Sequence, residues 1–519
     1  MKRIGLAGIF FSVLFLLSFS VNPDAVRKGF AELITSSTLE KHLSEIASDR
    51  YEGRATGEQG QKMAAAYIAD QFKQAGIPEL PGGGYYQKVP LIKYTPGEGS
   101  FQAGTSLFSF GTDFFYLPGM NDVQYAAKEM IYAGYGIKTE KYNDYAKLDV
   151  KGKTVIIFEG EPFDKNGNAI ITGKKEPTGW TNLRRQKIQE ARNQGAALLL
   201  VVVHDYEKRY NELKHSIETP TLQLDLGKES KEKENLPVLF ISEKIADQLL
   251  SAAGKKYTAA SLEKKKKKKG SVIPAQHSVN ITRKSEKIES ENVCGYIEGS
   301  DLKDEVIVIT AHYDHIGKEG EHIYNGADDD GSGTVAVVEL ARAFAAAKKA
   351  GHGPRRSILF MTVTGEERGL LGSKWYTENP MFPLSKTVCD LNIDMIGRVD
   401  KEHLNDSNYV YVIGSEKIST ELKKINEEAN ATYVNLKLDY RFDNENDPNR
   451  FYYRSDHYNF ARKGVPVAFF FNGVHEDYHK ETDEVSKISF RLMEVRTRLV
   501  FFTAWEIANR TPTLIRDKK

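Results

Sequence analysis

The sequence predicts an α/β protein: a mostly parallel, mixed sheet sandwiched by helices, with a small α/β or β-rich module inserted into it. Three observations predict this. Short, continuously apolar runs such as Val306–Thr310 recur along the second half of the chain and read as strands buried on both faces. Stretches with apolar residues at helical spacing separate them, as at Thr334–Lys348, and strands alternating with helices build βαβ units. The same alternation appears separately between about Ile131 and Val272. A chain of 519 residues is also too long for one ordinary domain.

The first twenty residues, MKRIGLAGIFFSVLFLLSFS, place two cations before an apolar run and end in small residues. This is the pattern of a signal peptide cleaved after about Ser20, and the run is short for a membrane span. The reading is an exported protein, periplasmic or secreted, without a stable membrane span after cleavage. Residues 21–130 form the first part of the main domain. Leu39, Leu43 and Ile46 share one helical face, and Tyr67, Ile68 and Phe72 share another. Between them lies the glycine-punctuated loop SDRYEGRATGEQG, and from Tyr85 to Lys128 short aromatic and β-branched runs suggest strands.

The inserted module takes residues 131–272. Its strands are Lys153–Phe158, Ala197–Val203 and Pro237–Ile241, and its helices Leu183–Gln194 and Glu243–Leu250. The six lysines Lys264–Lys269 read as a solvated loop at its exit, since nothing aromatic is interleaved with them. No acid/base or metal cluster stands out in this module. Residues 273–519 resume the main domain with strands at Val293–Ile297, Val306–Thr310, Ser357–Val363, Val388–Ile393, Tyr409–Ile413 and Val465–Phe471. Its helices are Thr334–Lys348, one near Ser373–Tyr376, Thr420–Asn430 and Phe490–Asn509. A net charge of +1 gives no global field for nucleic acid. The two cysteines, Cys294 and Cys389, lie in apolar strand segments and read as buried thiols, although export would permit a disulfide.

The strand ends carry the chemistry. Val306–Thr310 runs into His312, Asp314 and His315, and a loop with three successive aspartates, Asp328 to Asp330, precedes the next helix. Ser357–Val363 leads to Glu366 and Glu367, Val388–Ile393 to Asp394, and Val465–Phe471 to His475 and His479. In an open α/β sheet these ends line one crevice. Each acid alone reads as a helix cap; together, with histidines at matching ends, they read as metal ligands: His312, Asp328, Glu367, Asp394 and His479. Carboxylates and imidazoles without thiolates suit catalytic zinc. Five ligands exceed the needs of one open ion, and a carboxylate shared by two ions about 3.5–4 Å apart would use them all. Asp314 is placed to orient His312 from behind. Of the adjacent glutamates, one can bind metal while the other moves a proton.

The motifs AHYDH, NGADDDGSG, TGEERGLLGS, LNIDMIGR and HEDYHKETDE resemble the co-catalytic di-zinc aminopeptidases, a family that includes bacterial leucyl aminopeptidases and glutamate carboxypeptidase-type enzymes. The resemblance implies a phosphorylase/hydrolase-like zinc peptidase domain, and 131–272 resembles the protease-associated domain that members carry. It further implies that His312 and Asp394 each bind one zinc ion, that Glu367 and His479 bind the other, and that Asp328 bridges the two. Glu366 would be the general base and Asp314 and Asp329 would stand behind the ligands. A cis peptide would fall at Asp328–Asp329. Two zinc ions would activate a water, and Glu366 would pass its proton to the leaving amine.

Met395, Tyr478 and Arg454 are candidate walls of the substrate pocket. Phe469, Phe470 and Phe471 read as sheet packing, and His315, His457 and His475 as supporting or structural. The leading reading is an exported aminopeptidase acting on peptides. Alternatives are a dipeptidase or glutamate carboxypeptidase on the same metals, cyclisation of N-terminal glutamine at a single zinc, and a non-catalytic receptor-like ectodomain.

Overall fold

The computed structural model describes residues 23–182, 184–227, 236–252, 258–260 and 270–518. The expected leader and the lysine tract lie outside these residues. Two compact units result: Met1–Val89 with Ser290–Lys519, and Pro90–Glu289. The second is wider than the expected 131–272. The β-rich passage belongs to it because its strands pair across the segment expected to be the exit. Ser271–Ile281 is itself a strand, with Phe101 opposite Val279 and Ile131 opposite Val272.

In the first unit the sheet order is Lys437–Asp439, Tyr409–Ile413, Val467–Phe471, Thr387–Ile393, Leu302–His312, Arg356–Val363, Lys284–Ile297, then Tyr86–Thr95. The four central strands, Val467–Phe471 through Arg356–Val363, are mutually parallel. Every residue of Arg356–Val363, Thr387–Ile393 and Val467–Phe471 is buried, as continuous apolar strands covered on both faces require. The Gly333–Lys349 helix is alanine- and valine-rich and buries most of its surface. The closing helix Phe490–Asn509 packs against Ser36–Ile46, Thr420–Ala429 and Gly333–Lys349. Its ends fall where the sequence placed them. Cys294 and Cys389 are buried, free thiols.

The second unit has an eight-stranded mixed sheet whose central strands, Val123–Tyr132, Thr154–Phe158, Leu198–Val202 and Val238–Ile241, run parallel. Alternate residues feed two cores: Ile156, Leu200 and Leu239 enter one, Val155, Leu199 and Phe240 the other. The helix Tyr206–Glu218 was not expected from the sequence, since its polar run KRYNELKH shows only a narrow apolar stripe. No helix among the described residues is long and apolar enough to cross a membrane.

Candidate metal centre

Register brings the ionisable residues together. His312 stands opposite Val363 and Thr310 opposite Asn392, while Asn392 pairs with Phe469. The chain therefore leaves all four parallel strands at one edge. Glu366 and Glu367 follow Val363, Asp394 follows Ile393, and His475 to His479 follow Phe471.

Asp329 is the centre of the arrangement. Its Oδ1 lies 3.2 Å from His312 Nε2, which stands 3.6 Å from Asp394 Oδ1 and 3.9 Å from Glu366 Oε2. Its Oδ2 lies 3.1 Å from His479 Nε2, itself 3.3 Å from Glu367 Oε2. Two groups of ligand atoms thus share one carboxylate: His312, Asp329 and Asp394, and His315, Asp329 and Glu367, with His479 beside the second.

The sequence reading gave this shared position to Asp328, and the structure moves it one residue on. Asp328 turns away. Its Oδ1 accepts from Gly397 N (2.6 Å) and Ser332 Oγ (3.0 Å), and its Oδ2 faces His475 Nε2 at 3.2 Å. The cis peptide is likewise Asp329–Asp330, not Asp328–Asp329. Spacing within a run of three aspartates carries no information about which side chain points inward; only the backbone path decides that.

Asp330 has a third role. Its Oδ2 accepts from the main chain of His312 (3.1 Å), and its Oδ1 from Gly333 (2.8 Å) and Met395 (3.0 Å). One buried carboxylate so ties two ligand strands to the start of a helix. Asp483 accepts from the main-chain N–H groups of Asp328 and Asp329. Asp314 supports His312, though not through its carboxylate: its main-chain oxygen lies 3.0 Å from His312 Nδ1. The carboxylate accepts instead from Thr56 Oγ1 (2.7 Å) and Glu366 N (3.1 Å). Ser455 donates to Asp394 (2.6 Å) and is held by Asn392. Met395 and His479 have left-handed backbone, with φ of 56° and 58°. Such conformations are sparsely populated for these residue types and concentrate at functional sites.

Arg54 is the main support that sequence reading missed. Fully buried, it donates to the carbonyl oxygens of Ile46, Tyr313, Asn325 and Gly326. Burial pulls its guanidinium down to about 10, against the attraction of Asp314, Asp483, Asp329 and Asp330. It is the cation beneath Asp329 and Asp330. The signal was present in SDRYEGRATGEQG, whose only oddity was a lack of periodicity.

Electrostatics separate the two glutamates. Burial, reinforced by Glu367, Asp394 and Asp456 against the pull of His312, pushes Glu366 well above the usual carboxylate range. Burial would also raise Glu367, but His315 and His479 hold it at about 2. A small cavity opens beside His312, Asp329, Glu366 and Asp394. Met395, Arg454 and Tyr478 line it, as the sequence suggested. Phe469, Phe471, Phe451 and Val474 line it too, so two of the three consecutive phenylalanines face the cavity and Phe470 alone joins the main core. Arg454 donates to Tyr478 Oη at 3.1 Å.

The donor set fits zinc. Its imidazole nitrogens and carboxylate oxygens face one another at 2.9–3.9 Å, and carboxylates with imidazoles suit that ion. Four carboxylates converge here, and Arg54 beneath them gives its donors to main-chain carbonyls, which favours a bound cation.

Residues 292–504 match the profile of peptidase family M28. The matched segment contains His312, His315, Asp329, Glu366, Glu367, Asp394 and His479. Leupeptin-inactivating enzyme 1 of Streptomyces exfoliatus is 27% identical over 208 residues, 36% of this chain and 43% of the relative. Aminopeptidase YwaD of Bacillus subtilis is 26% identical over 262 residues, 47% of this chain and 51% of the relative. A probable glutamate carboxypeptidase of Arthroderma benhamiae is 39% identical over 105 residues, 20% of this chain and 14% of the relative. The chain spans less than two thirds of the length of these curated relatives. In fold it is similar to an aminopeptidase from Aneurinibacillus sp. strain AM-1, with a TM-score of 0.54 and 20% identity, covering 95% of this chain and 98% of the other.

Proposed function

We propose that this chain is a zinc-dependent aminopeptidase that removes N-terminal residues from peptides, using two zinc ions that share Asp329. The observation that carries the reading is the Asp329 carboxylate itself, with one oxygen 3.2 Å from His312 and the other 3.1 Å from His479. His312 and Asp394 would hold one ion, and Glu367 and His479 the other. When bound, the ions would acidify water and polarise the scissile carbonyl.

The remaining steps fall to the chain's own residues. Glu366, buried and short of donors, is suited to accept the proton of the attacking water. It then returns that proton to the leaving amine, as a general base that becomes a general acid. Asp314 fixes the main chain of Glu366, so the carboxylate is aimed before substrate arrives. The Phe451, Phe469, Phe471 and Met395 walls favour an apolar first side chain and keep water away from the reacting carbonyl. The names of the relatives, a leupeptin-inactivating enzyme and an aminopeptidase, agree with this reading.

A carboxypeptidase must grip a free carboxylate, for which an arginine fork is the usual tool. Arg454 alone lines the cavity in that capacity, and its guanidinium is already stacked over Phe451 at 4.9 Å. Export through the first twenty residues and a protease-associated role for the second unit belong to the same proposal, supported by sequence pattern.

The test is hydrolysis of one peptide with a free N-terminus and of its N-acetylated twin, with and without chelator. Chelator-sensitive cleavage of the free-amine peptide alone is expected. Cleavage of both from the carboxyl end would overturn the aminopeptidase reading.

A further inference from the structure

We propose that Asp390 is a neutral, protonated carboxylic acid that heads a one-way chain of hydrogen bonds ending on Asp394, and that it positions this ligand of the ion beside His312. The inference rests on the reading of Asp394 as a metal ligand and deepens it by a residue further back along the same strand.

The strand Thr387–Ile393 is buried throughout, and side chains two residues apart share a face. Asp390, Asn392 and Asp394 therefore form a polar row running toward the sheet edge. Thr310, on the neighbouring parallel strand, is paired with Asn392. Four contacts join the row. Thr310 Oγ1 lies 2.8 Å from Asp390 Oδ1 and 2.8 Å from Asn392 Oδ1. Asn392 Nδ2 donates to Ser455 Oγ at 2.8 Å, and Ser455 Oγ to Asp394 Oδ2 at 2.6 Å. Every member of the row is buried.

Proton counting fixes the direction. A carboxylate that binds metal is ionised and only accepts, so the single Ser455 proton goes to Asp394. Ser455 Oγ must then receive its other bond, and only the amide nitrogen of Asn392 can supply it. This turns the amide oxygen toward Thr310. An amide oxygen only accepts, so the single Thr310 proton goes to Asn392. Thr310 has no second proton to offer, and its contact with Asp390 needs one. Asp390 must supply it.

The surroundings of Asp390 agree. Ionised, it would be a buried charge whose Oδ2 accepts no hydrogen bond, an arrangement that proteins avoid. Burial pushes its carboxyl well above the usual carboxylate range and Asp456 adds to this, against the pull of the Thr310 contact. Tyr376 and Cys389, the other titratable side chains that interact with it, are themselves pushed up by burial and bring no positive charge.

The row holds Asp394 Oδ2 with a donor whose direction cannot reverse, while Oδ1 faces His312 Nε2 at 3.6 Å. Carboxylates that bind metal are commonly braced in this way, and removing the brace weakens metal affinity.

The test is infrared difference spectroscopy at neutral pH, comparing the zinc-loaded full chain with its Asp390→Asn variant. The wild type should show the carbonyl band of one neutral carboxylic acid that the variant lacks. No such band would mean an ionised Asp390 and overturn the proposal. Positioning is read by zinc competition against a chromophoric chelator. Asp390→Asn still offers Thr310 a donor and should keep the affinity of both ions within about threefold. Asp390→Leu offers none and should weaken the ion beside His312 about tenfold or more, leaving the other unchanged. Wild-type affinity in both variants would overturn the positioning role. Equal losses in both would overturn it too, since charge rather than a donor would then be what counts. A wild type that binds no zinc would overturn the ligand reading of Asp394 and the positioning with it, while the infrared band would still decide the proton. Should the variants fail to fold, neutron diffraction from wild-type crystals decides the matter. Deuterium on Asp390 Oδ1, directed at Thr310, is expected, and a bare oxygen would overturn the proposal.

Discussion

Both units end parallel, doubly covered strands in ionisable side chains, yet only the first gathers them into a centre. In the second unit Thr154–Phe158 is followed by Glu159, Leu198–Val202 by His204, and Val238–Ile241 by Glu243. There Glu159 meets Arg209 at 3.0 Å, and His204 meets Glu243 at 3.2 Å with both side chains more than 40% exposed. In the first unit Asp329, Glu366, Glu367 and Asp394 gather around imidazoles, and among the described residues no lysine or arginine side chain bonds to them. Among the described residues no metal-ligating group forms in the second unit. An acid after a buried strand is therefore a weak signal by itself. What marks a site is carboxylates that the fold has declined to neutralise.

Four experiments can break or sharpen that contrast. The largest effect should come from Glu366→Gln, which keeps the shape and removes the proton acceptor. Turnover should fall about a thousandfold while zinc content measured by elemental analysis stays at the wild-type level. A loss of zinc along with turnover would move Glu366 from proton transfer to metal binding.

Next comes the choice between neighbours. Asp329→Asn should weaken binding of at least one ion by about 100-fold or more, because the shared carboxylate is gone. Asp328→Asn should retain both ions within about tenfold, since that side chain braces Gly397 and Ser332. Equal losses in a zinc titration would return Asp328 to the centre.

Arg54→Met removes the buried cation and strands the carbonyls of Ile46, Tyr313, Asn325 and Gly326. The first unit should lose about 3–5 kcal/mol of stability, read by urea unfolding followed by circular dichroism. A loss below about 1 kcal/mol would mean that water takes over those carbonyls.

The smallest effect concerns Lys187 in the second unit, whose Nζ donates to the Phe158 and Gly160 carbonyls. Burial pulls it down to about 8 from 10.5, despite the nearby Asp144, Glu159 and Glu161. Between these two values the unfolded chain holds the proton more tightly than the folded one, so folding stability should rise with pH from about 8 to 10.5. Lys187→Met should abolish that rise in unfolding monitored by tryptophan fluorescence, and should leave peptide hydrolysis unchanged.

Much of the architecture was legible. The strands at Tyr409–Ile413 and Thr387–Ile393 and the helix Phe490–Asn509 could be read because burial on both faces leaves unbroken apolar runs. The boundary of the second unit could not. Gly99–Ala103 and Ser271–Ile281 pair at long sequence separation, and their alternating burial gives no hint of the partner. Within the centre, His312, Glu367, Asp394 and His479 were readable as strand-end residues. The choice among Asp328, Asp329 and Asp330 was not, because each is buried and each makes a different set of main-chain contacts. Arg54 could not be given a role for a related reason: what it holds lies across the fold, not among its neighbours in the chain.

The bonds from Arg54 to Asn325 and from Asp483 to Asp329 have a consequence for timing. They span 271 and 154 residues, and the whole second unit lies between Arg54 and His312. A chain emerging from the ribosome finishes Pro90–Glu289 well before His479 or Asp483 has been made, and domains of this kind fold as units. The first unit must wait with its N-terminal helices synthesised but unsupported. Metal uptake at this centre would then be among the last events in the life of the folding chain, and would report that both ends have found each other.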